Sequence, residues 1–322
     1  MSLLNQKHFQ NEADAFSWLE GQLWPNGPVC PHCGGKERIY ALKGVRSKPS
    51  KRHPQGIERH GLKKCGHCLK QFTARIGTIF EDSPVPLHVW LQAFFLLVSG
   101  KKGTSSNQLS RALDVTLKTA WFMSHRIREA MRSGSLAPPM GGGGEIVEVD
   151  ETYIGKNSLY KHFKNPRGFQ HKNTVLTLVQ RDGSARSFHV ERTTARDIVP
   201  VVQANIAKET AIATDEASHY NSLGAHFAQH ETVNHKAEEW ARGTIHTNTV
   251  EGYFSIFKRG MKGVYQHCSE KHLHRYLAEF DFRYSHRVKL GVNDEQRLAK
   301  AVQGVKGKRL TYRTTGGGRP RA

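Results

Sequence analysis

Two short cysteine pairs, Cys30-Pro-His-Cys33 and Cys65-Gly-His-Cys68, stand 31 residues apart in a segment too polar to close a hydrophobic core of its own. That combination leaves few folds open. Paired CxxC knuckles at this spacing complete a tetrahedral thiolate shell around one structural Zn²⁺, the arrangement of ribbon-type zinc sites, and the metal then supplies the folding energy that apolar burial cannot. Four unligated buried cysteines are the competing reading. A redox CxxC is a poorer one, because there are two pairs and neither follows a strand-then-helix pattern. Disulfides are not expected. The fifth cysteine, Cys268, lies alone in a polar stretch and is given no role.

The segment between the knuckles is also one-sided in charge: residues 43–75 hold ten Lys or Arg against Glu58 alone. The whole chain follows suit, with 48 Lys and Arg against 28 Asp and Glu over 322 residues, a net charge of +20. A charge that large repels itself unless a polyanion is the normal partner, and nucleic acid is the expected one. A membrane surface would attract the same charge. It is excluded as an expected partner because the sequence shows no apolar run of 18 residues, no lipidation signal and no signal peptide in its opening MSLLNQKHFQNEADAF. A cytoplasmic protein is expected. The 19 histidines form no HExxH pair and read as surface or nucleic-acid-facing residues.

Composition divides the chain into four regions. Residues 1–80 carry the zinc ribbon and its basic loop, 84–134 read as helices, 145–290 alternate strand and helix signals, and 303–322 form a basic flexible tail. The Gly141–Gly144 run after Pro138-Pro139 reads as a linker. Within 105–131 the pattern predicts a helix-turn-helix. Leu109, Ala112 and Leu113 face inward, Asp114-Val115 make the turn, and Lys118, Thr119, His125 and Arg126 are presented outward; an ordinary helical hairpin fits nearly as well. In the third region EIVEVDETYIG (145–155) reads as a strand, 173–183 and 185–191 as a hairpin turning at Asp182-Gly183, and 195–207 as an amphipathic helix. Strands at 211–217 and Thr232–His235 and a helix from Thr247 through Met261 follow. Three strands, a helix, a strand and further α/β is the order of an RNase H-like core, so the fold class is α/β.

Three acids fall where this order could aim them at one point: Asp150 in the first strand, Asp215 at the end of the fourth, and Glu251 on the last helix, with 35 residues between the latter two. Each has a bland reading. Asp150, beside Glu148 and Glu151, could ride an exposed edge strand; Asp215 could cap a helix; Glu251 could be a surface charge. Together, and on so basic a chain, they fit a phosphoryl-transfer site in which three carboxylates hold two Mg²⁺ about 3.5–4 Å apart. Lys258, seven residues after Glu251, shares its helical face.

With the knuckles at 30–33 and 65–68, the strand VEVDETYIG (147–155), TDEASHY (214–220) and HTNTVEGYFSIFKRG (246–260) in place, the chain resembles the DDE transposases of bacterial insertion sequences. The resemblance is to the branch that joins a zinc ribbon to an RNase H-like, ISXO2-like catalytic domain, and it covers nearly the whole length. It implies that Asp150, Asp215 and an acid or amide of the last segment hold two catalytic Mg²⁺ or Mn²⁺ ions, that Lys258 touches transposon-end DNA, and that the ribbon holds one Zn²⁺. In this branch the third ligand is Asn in some members and Glu in others. Here Asn248 and Glu251 lie three apart; Glu251 is preferred because a charged oxygen holds Mg²⁺ better than an amide, and Asn248 stays a rival.

The implied activity is binding of double-stranded DNA, both element ends and target, with strand cleavage and strand transfer by a homodimer or larger synaptic assembly. Two other readings stand beside it: a zinc-ribbon regulator with an inactive RNase H-like domain, and a stand-alone nuclease or resolvase. On the final helical stretch, Tyr276, Glu279, Arg283 and Arg287 fall at spacings of three and four, so that face either meets DNA or is laced with ion pairs.

Overall fold

Helix α1 (Glu12–Leu23) starts at Asn11, whose side-chain oxygen takes the Asp14 amide at 2.9 Å, and two acids in its first turn suit the positive end of the helix. Its apolar stripe buries Ala15, Phe16, Leu19 and Leu23. In the computed structural model, which describes residues 3–51, 53–132, 137–157, 169 and 171–310, this helix belongs to the first of two units, made of residues 1–99, 106–131 and 294–322. The ribbon follows as three antiparallel strands, β1 (Ile39–Ala41), β2 (Lys63–Cys65) and β3 (Gln71–Phe72), in the order β1-β2-β3.

Helix α2 (Leu87–Ser99) is apolar on most sides and is correspondingly buried at Leu87, Trp90, Leu91, Phe94 and Leu97. Its first amides, at Leu87 and His88, donate to the Glu12 carboxylate at 2.6 and 3.2 Å. Helices α3 (Ser106–Leu113) and α4 (Leu117–Met131) form the expected pair across a turn in which Asp114 takes a positive φ of 49°. Their faces differ from expectation. Leu109 is buried, but Ala112 is exposed, and His125 and Arg126, expected outward, are 1% and 5% exposed. The reason is that the second half of α4 is its packing face. The Arg126 guanidinium donates to the carbonyls of Ile79 at 2.5 Å, Glu81 at 3.1 Å and Leu310 at 3.0 Å, so its charge serves the core. Lys118 stays exposed and Thr119 half-buried.

The chain returns to this unit in a last helix, α8 (Asp294–Gln303), which packs on α2 and which the sequence pattern left unassigned. Beyond it the expected free arm is corrected at its start. Val305 is fully buried, Lys306 donates to the Leu23 carbonyl, Lys308 to that of Ala130 at 3.1 Å, and Arg309 to Asp82 at 2.5 Å. One apolar anchor and three satisfied cations hold this stretch down. Arg313, Arg319, Arg321 and the Gly316–Gly318 run lie outside the described residues.

The second unit, residues 100–105 and 132–293, is built on a five-stranded sheet. Strands β4 (Ile146–Ile154), β5 (Asn173–Gln180) and β6 (Ala185–Val190) form an antiparallel meander; helix α5 (Ala195–Asn205) crosses to β7 (Ala211–Asp215), and β8 (Gln229–Val233) closes the edge. The order β6-β5-β4-β7-β8, with β7 and β8 parallel to β4, is that of an RNase H-like sheet. Alternation along β4 sorts its side chains. Val147 and Val149 face α5 with Leu176, Leu178, Ile198 and Val202, whereas Glu148, Asp150, Thr152 and Ile154 face the other side. That second face is covered by α6 (Asn248–Gly260) and α7 (Glu270–Ser285) through Val250, Tyr253, Phe257, Leu273, Leu277 and Phe280. A short hairpin, β9 (Ala241–Arg242) and β10 (Ile245–His246), precedes α6.

Two boundaries shift. The edge strand ends at Val233 rather than His235, because the Asn234 side chain takes the Ala237 amide at 3.2 Å and turns the chain. The glycine run is no free linker at its start: Met140 bridges to Ile206, and the amides of Gly141 and Gly142 donate to Gln180 Oε1 at 3.2 Å and Thr210 Oγ1 at 2.9 Å. A Cβ on Gly141, at φ +78°, would stand 2.3 Å from Thr210 Oγ1, so only glycine fits. Gly260 is held to the same rule at the end of α6, where a Cβ would meet the Phe280 ring at 2.5 Å. On α7, Glu279 is fully buried against the Arg283 guanidinium, so that face carries an internal ion pair; Arg287 lies past the end of the helix and donates to the Gly183 and Tyr284 carbonyls, both at 2.8 Å.

Candidate active site

Strand register brings the first two carboxylates together. Ile146, Val147 and Glu148 of β4 stand level with Ala211, Ile212 and Ala213 of β7; carried two places further, the parallel register sets Asp150 beside Asp215 on the same face. The third acid comes from α6. Burial of Val250, Tyr253 and Phe257 against the sheet rotates Glu251, Ser255 and Lys258 out of the core and into the cleft above the strand ends. Asp150, Glu151, Thr152, Asp215, His235, Glu251, Phe254, Ser255 and Lys258 line this cleft, about 410 Å³ in volume. Asn248, one turn earlier on α6, is exposed and does not line it. Lys258 lies with its ammonium 5.9 Å from the Phe254 ring centre.

The electrostatics follow from this crowding. Burial, and then the neighbouring charges of Glu151, Asp215 and Glu251, push the Asp150 carboxyl well above the usual carboxylate range. Asp215 is raised for the same reasons, first burial and then Glu151 and Glu216, although the Ala217 amide 3.0 Å from its oxygen works the other way. Hard oxygen donors of this kind suit Mg²⁺ or Mn²⁺. Their oxygens are not drawn as close as the thiols of the ribbon: among the described residues the only group of three or more ligand atoms all within 4.8 Å of one another is Cys30, Cys33, Cys65 and Cys68.

Several residues at the cleft carried no signal that singled them out in sequence. Glu151 accepts from Tyr220 Oη at 2.5 Å and lies 3.2 Å from His219 Nε2; burial alone would raise its carboxyl, and those two partners outweigh burial and hold it below the ordinary value. Glu151 points to the opposite side of β4 from Asp150 and ties down the turn that follows Asp215. His235, read as a surface histidine, lines the cleft with Nε2 3.3 Å from Thr247 Oγ1 and 3.7 Å from Glu251 Oε1. Thr247 in turn donates to Glu251 Oε1 at 3.1 Å. Glu151, His219, Tyr220 and Thr247 stand within a few positions of the acids in sequence, whereas His235, 16 residues before Glu251, carries not even that trace.

In the ribbon, Cys30 and Cys65 are buried beneath Phe72 with Trp24, Ile39 and Ile76 packed around them. Sulfur separations of 3.6 Å for Cys30–Cys68 and 3.7 Å for Cys33–Cys65, with all five cysteines of the chain reduced, are those of a closed thiolate set. The Cys68 backbone amide, with that of His67, draws the Cys65 thiol down to about 6, while Cys33, despite the Gly35 amide, is pushed up to about 11 by burial and the neighbouring thiols, so the crowded sulfurs share their protons. The donor set fits one structural Zn²⁺. Of the loop's cations, Lys63 pairs with Glu20 at 2.6 Å and Arg75 donates to the carbonyls of Phe80, Ser83 and Val85; Lys43, Lys48, Lys51, Arg59, Lys64 and Lys70 are exposed.

An RNase H-like sheet with carboxylates on adjacent parallel strands and on the covering helix, in a chain that also carries a four-cysteine ribbon, defines the class of zinc-ribbon proteins with a nucleic-acid-processing domain. Sequence comparison narrows it. The transposase zinc-ribbon domain family matches residues 10–71 and the ISXO2-like transposase domain family matches residues 142–285, so the chain carries both of these transposase domains. It is 26% identical over 292 residues, covering 86% of this chain and 92% of the other, to an uncharacterized protein in transposable element ISH50 of Halobacterium salinarum. A chain of the simian T-cell lymphotropic virus intasome, solved by cryo-electron microscopy in complex with PP2A regulatory subunit B56 gamma, is 13% identical and covers 54% of this chain and 63% of its own. Its TM-score of 0.28 is too low to bear on the fold.

Proposed function

We propose that the protein binds the ends of its element and cuts and rejoins DNA strands at the cleft of Asp150, Asp215 and Glu251. The observation that carries this reading is the parallel register that sets Asp150 beside Asp215, opposite the α6 face that bears Glu251 and Lys258. The three carboxylates would hold two Mg²⁺ or Mn²⁺ ions. When bound, such ions stabilise the charge that develops on the attacking and leaving oxygens of an in-line displacement. Lys258 would hold a phosphate of the end DNA beside them, positioning the strand without reading its sequence. The exposed lysines and arginines of the ribbon loop, together with Arg111 and Lys118 on the α3–α4 pair, supply the sequence-independent attraction to the duplex. Joining two ends to one target calls for a dimer or larger assembly.

The test is single-turnover cleavage and binding on an element-end duplex. Asp215→Asn and Glu251→Gln are expected to abolish cleavage while end affinity stays within about twofold, because affinity comes from phosphate contacts elsewhere. Asn248→Ala, exposed and outside the cleft, is expected to cleave at the wild-type rate. Full activity in Glu251→Gln with loss in Asn248→Ala would move the third position. Lys258→Ala should slow cleavage by about ten- to a hundredfold, the worth of one charge-assisted phosphate contact, with little loss of affinity.

The C-terminal cations separate in a second measurement. Deleting residues 311–322 removes Arg313, Arg319 and Arg321 and should weaken binding to end and unrelated duplexes alike, with the log–log salt slope falling by about 0.9 for each lost phosphate contact. A deletion from 304 would in addition strip Val305 and Arg309 from the first unit and lower its melting temperature. Loss of end-specific binding alone after the shorter deletion would show that this segment reads sequence.

A further inference from the structure

Glu148 is a fully buried carboxylate, two residues before Asp150 and on the same face of β4, yet it does not line the cleft. A carboxylate taken out of water costs several kcal/mol unless every lone pair is met, so its partners define what it is for. Oε2 takes the backbone amides of Thr249 and Val250 at 2.8 and 2.9 Å. Oε1 takes Arg181 Nε and Thr249 Oγ1, both at 2.8 Å, and lies 3.1 Å from His246 Nδ1. Thr249 and Val250 belong to the first turn of α6, where amides have no acceptor within the helix, and the positive end of the helix dipole favours an anion there. The helix is therefore capped by a strand residue about a hundred positions away in the chain.

Its own N-cap residue, Thr247, makes no capping bond to a helix amide, and its hydroxyl donates to Glu251 Oε1 instead. Arg181 extends the clamp upstream of the helix, donating to the carbonyls of Thr244 and His246 in the hairpin that leads into α6. The chain is thus held on both sides of Thr247, and one helical turn later it carries Glu251.

Building on the cleft reading above, we propose that Glu148 is a positioning residue for the metal-binding site: it fixes the first turn of α6 to β4 and so sets where Glu251 stands relative to Asp150. The link is short and stiff. It runs two residues along a central strand, across one buried carboxylate, and one turn up a helix.

The test titrates Mn²⁺ into the intact, zinc-loaded protein by electron paramagnetic resonance and follows the Mn²⁺ dependence of end cleavage in parallel. Glu148→Gln keeps the shape but loses the charge and one acceptor, which leaves either Arg181 or the helix amides facing an NH₂ group. It is expected to raise the Mn²⁺ half-saturation about ten- to a hundredfold in both readouts, the usual effect of losing a residue that orients a ligand, with end-DNA affinity unchanged. Wild-type Mn²⁺ binding by a folded Glu148→Gln protein would overturn the proposal, as would slower cleavage with an unchanged Mn²⁺ dependence. If Glu148→Gln does not fold, Thr249→Val removes the hydroxyl bond to Glu148 and Arg181→Lys disrupts the guanidinium bonds to Glu148 and to the Thr244 and His246 carbonyls, both keeping the carboxylate; both should raise the half-saturation, by about tenfold, and unchanged binding in both would refute the assignment. Mn²⁺ binding that Asp150→Asn abolishes, in a protein that cleaves no DNA, would defeat the functional reading while leaving the role of Glu148 to be decided by the binding titration.

Discussion

Cys65→Ser is expected to lose the bound zinc, the fold of the ribbon and end-specific DNA binding together. The three ribbon strands are three, three and two residues long, and the cluster beneath them is Cys30, Cys65 and Phe72 with a few partly buried neighbours. Strands that short are not stable on their own in water, so the metal has to supply the difference, on the order of 10 kcal/mol for structural zinc sites. The effect should be local. Hydrogen exchange is expected to accelerate across 39–41, 63–65 and 71–72 while the amides of β4 and β5 in the other unit stay protected. Metal analysis of the wild-type protein should give one zinc per chain, with no role in catalysis because four thiolates leave no open position. Zinc near zero with the ribbon strands protected, or end-specific binding retained by Cys65→Ser, would remove the metal from the account.

The second large effect has two signs. Asp150→Asn should inactivate the protein and make its metal-free form more stable. If the cleft acts as proposed, several kcal/mol of transition-state stabilisation would depend on a carboxylate at this position, which at about 1.4 kcal/mol for each tenfold corresponds to an expected loss of about a thousandfold or more. Without cations the same carboxylate is a burden, since burial and the charges of Glu151, Asp215 and Glu251 raise its pKa above the unfolded value. For an acid shifted in that direction, stability is fully present below the unfolded pKa, where the group is protonated in both states, and is lost as pH rises through the folded pKa. The advantage of Asp150→Asn should therefore be small near pH 4 and grow as pH rises above the ordinary carboxylate range. In magnesium-free buffer each kcal/mol of relieved repulsion appears as about 2–4 °C in melting temperature for a domain of this size. The Glu151 amide that Asp150 Oδ1 accepts at 2.7 Å can still bond to the Asn oxygen, so the substitution costs little in packing. An Asp150→Asn protein that melts lower than wild type at neutral pH would mean that the site is not electrostatically strained.

Much of this was legible in the chain. Spacing alone located the ribbon, because four cysteines in two knuckles admit few arrangements. Local pattern located the sheet and its helices, because the alternation of apolar and acidic residues at 147–150, the unbroken β-branched and apolar run of 174–179 and the apolar stripe of 248–260 are each local signals of a buried face. The sequence also marked Asp150, Asp215 and Glu251 as acids on elements that could converge. Tertiary structure decided what periodicity cannot carry. Register, a long-range property of two strands, set Asp150 beside Asp215; the rotation of α6 under its apolar contacts placed Glu251 and Lys258 in the cleft and left Asn248 out of it. Burial reassigned charges whose type reads as surface: Arg126 and His125 went into the first unit, Lys306 and Arg309 were satisfied at its edge, and Glu148 became a helix cap about a hundred residues from the helix it caps. A charged side chain looks the same in sequence whether it meets water, DNA or a buried amide, and only the fold supplies the partner that decides between them.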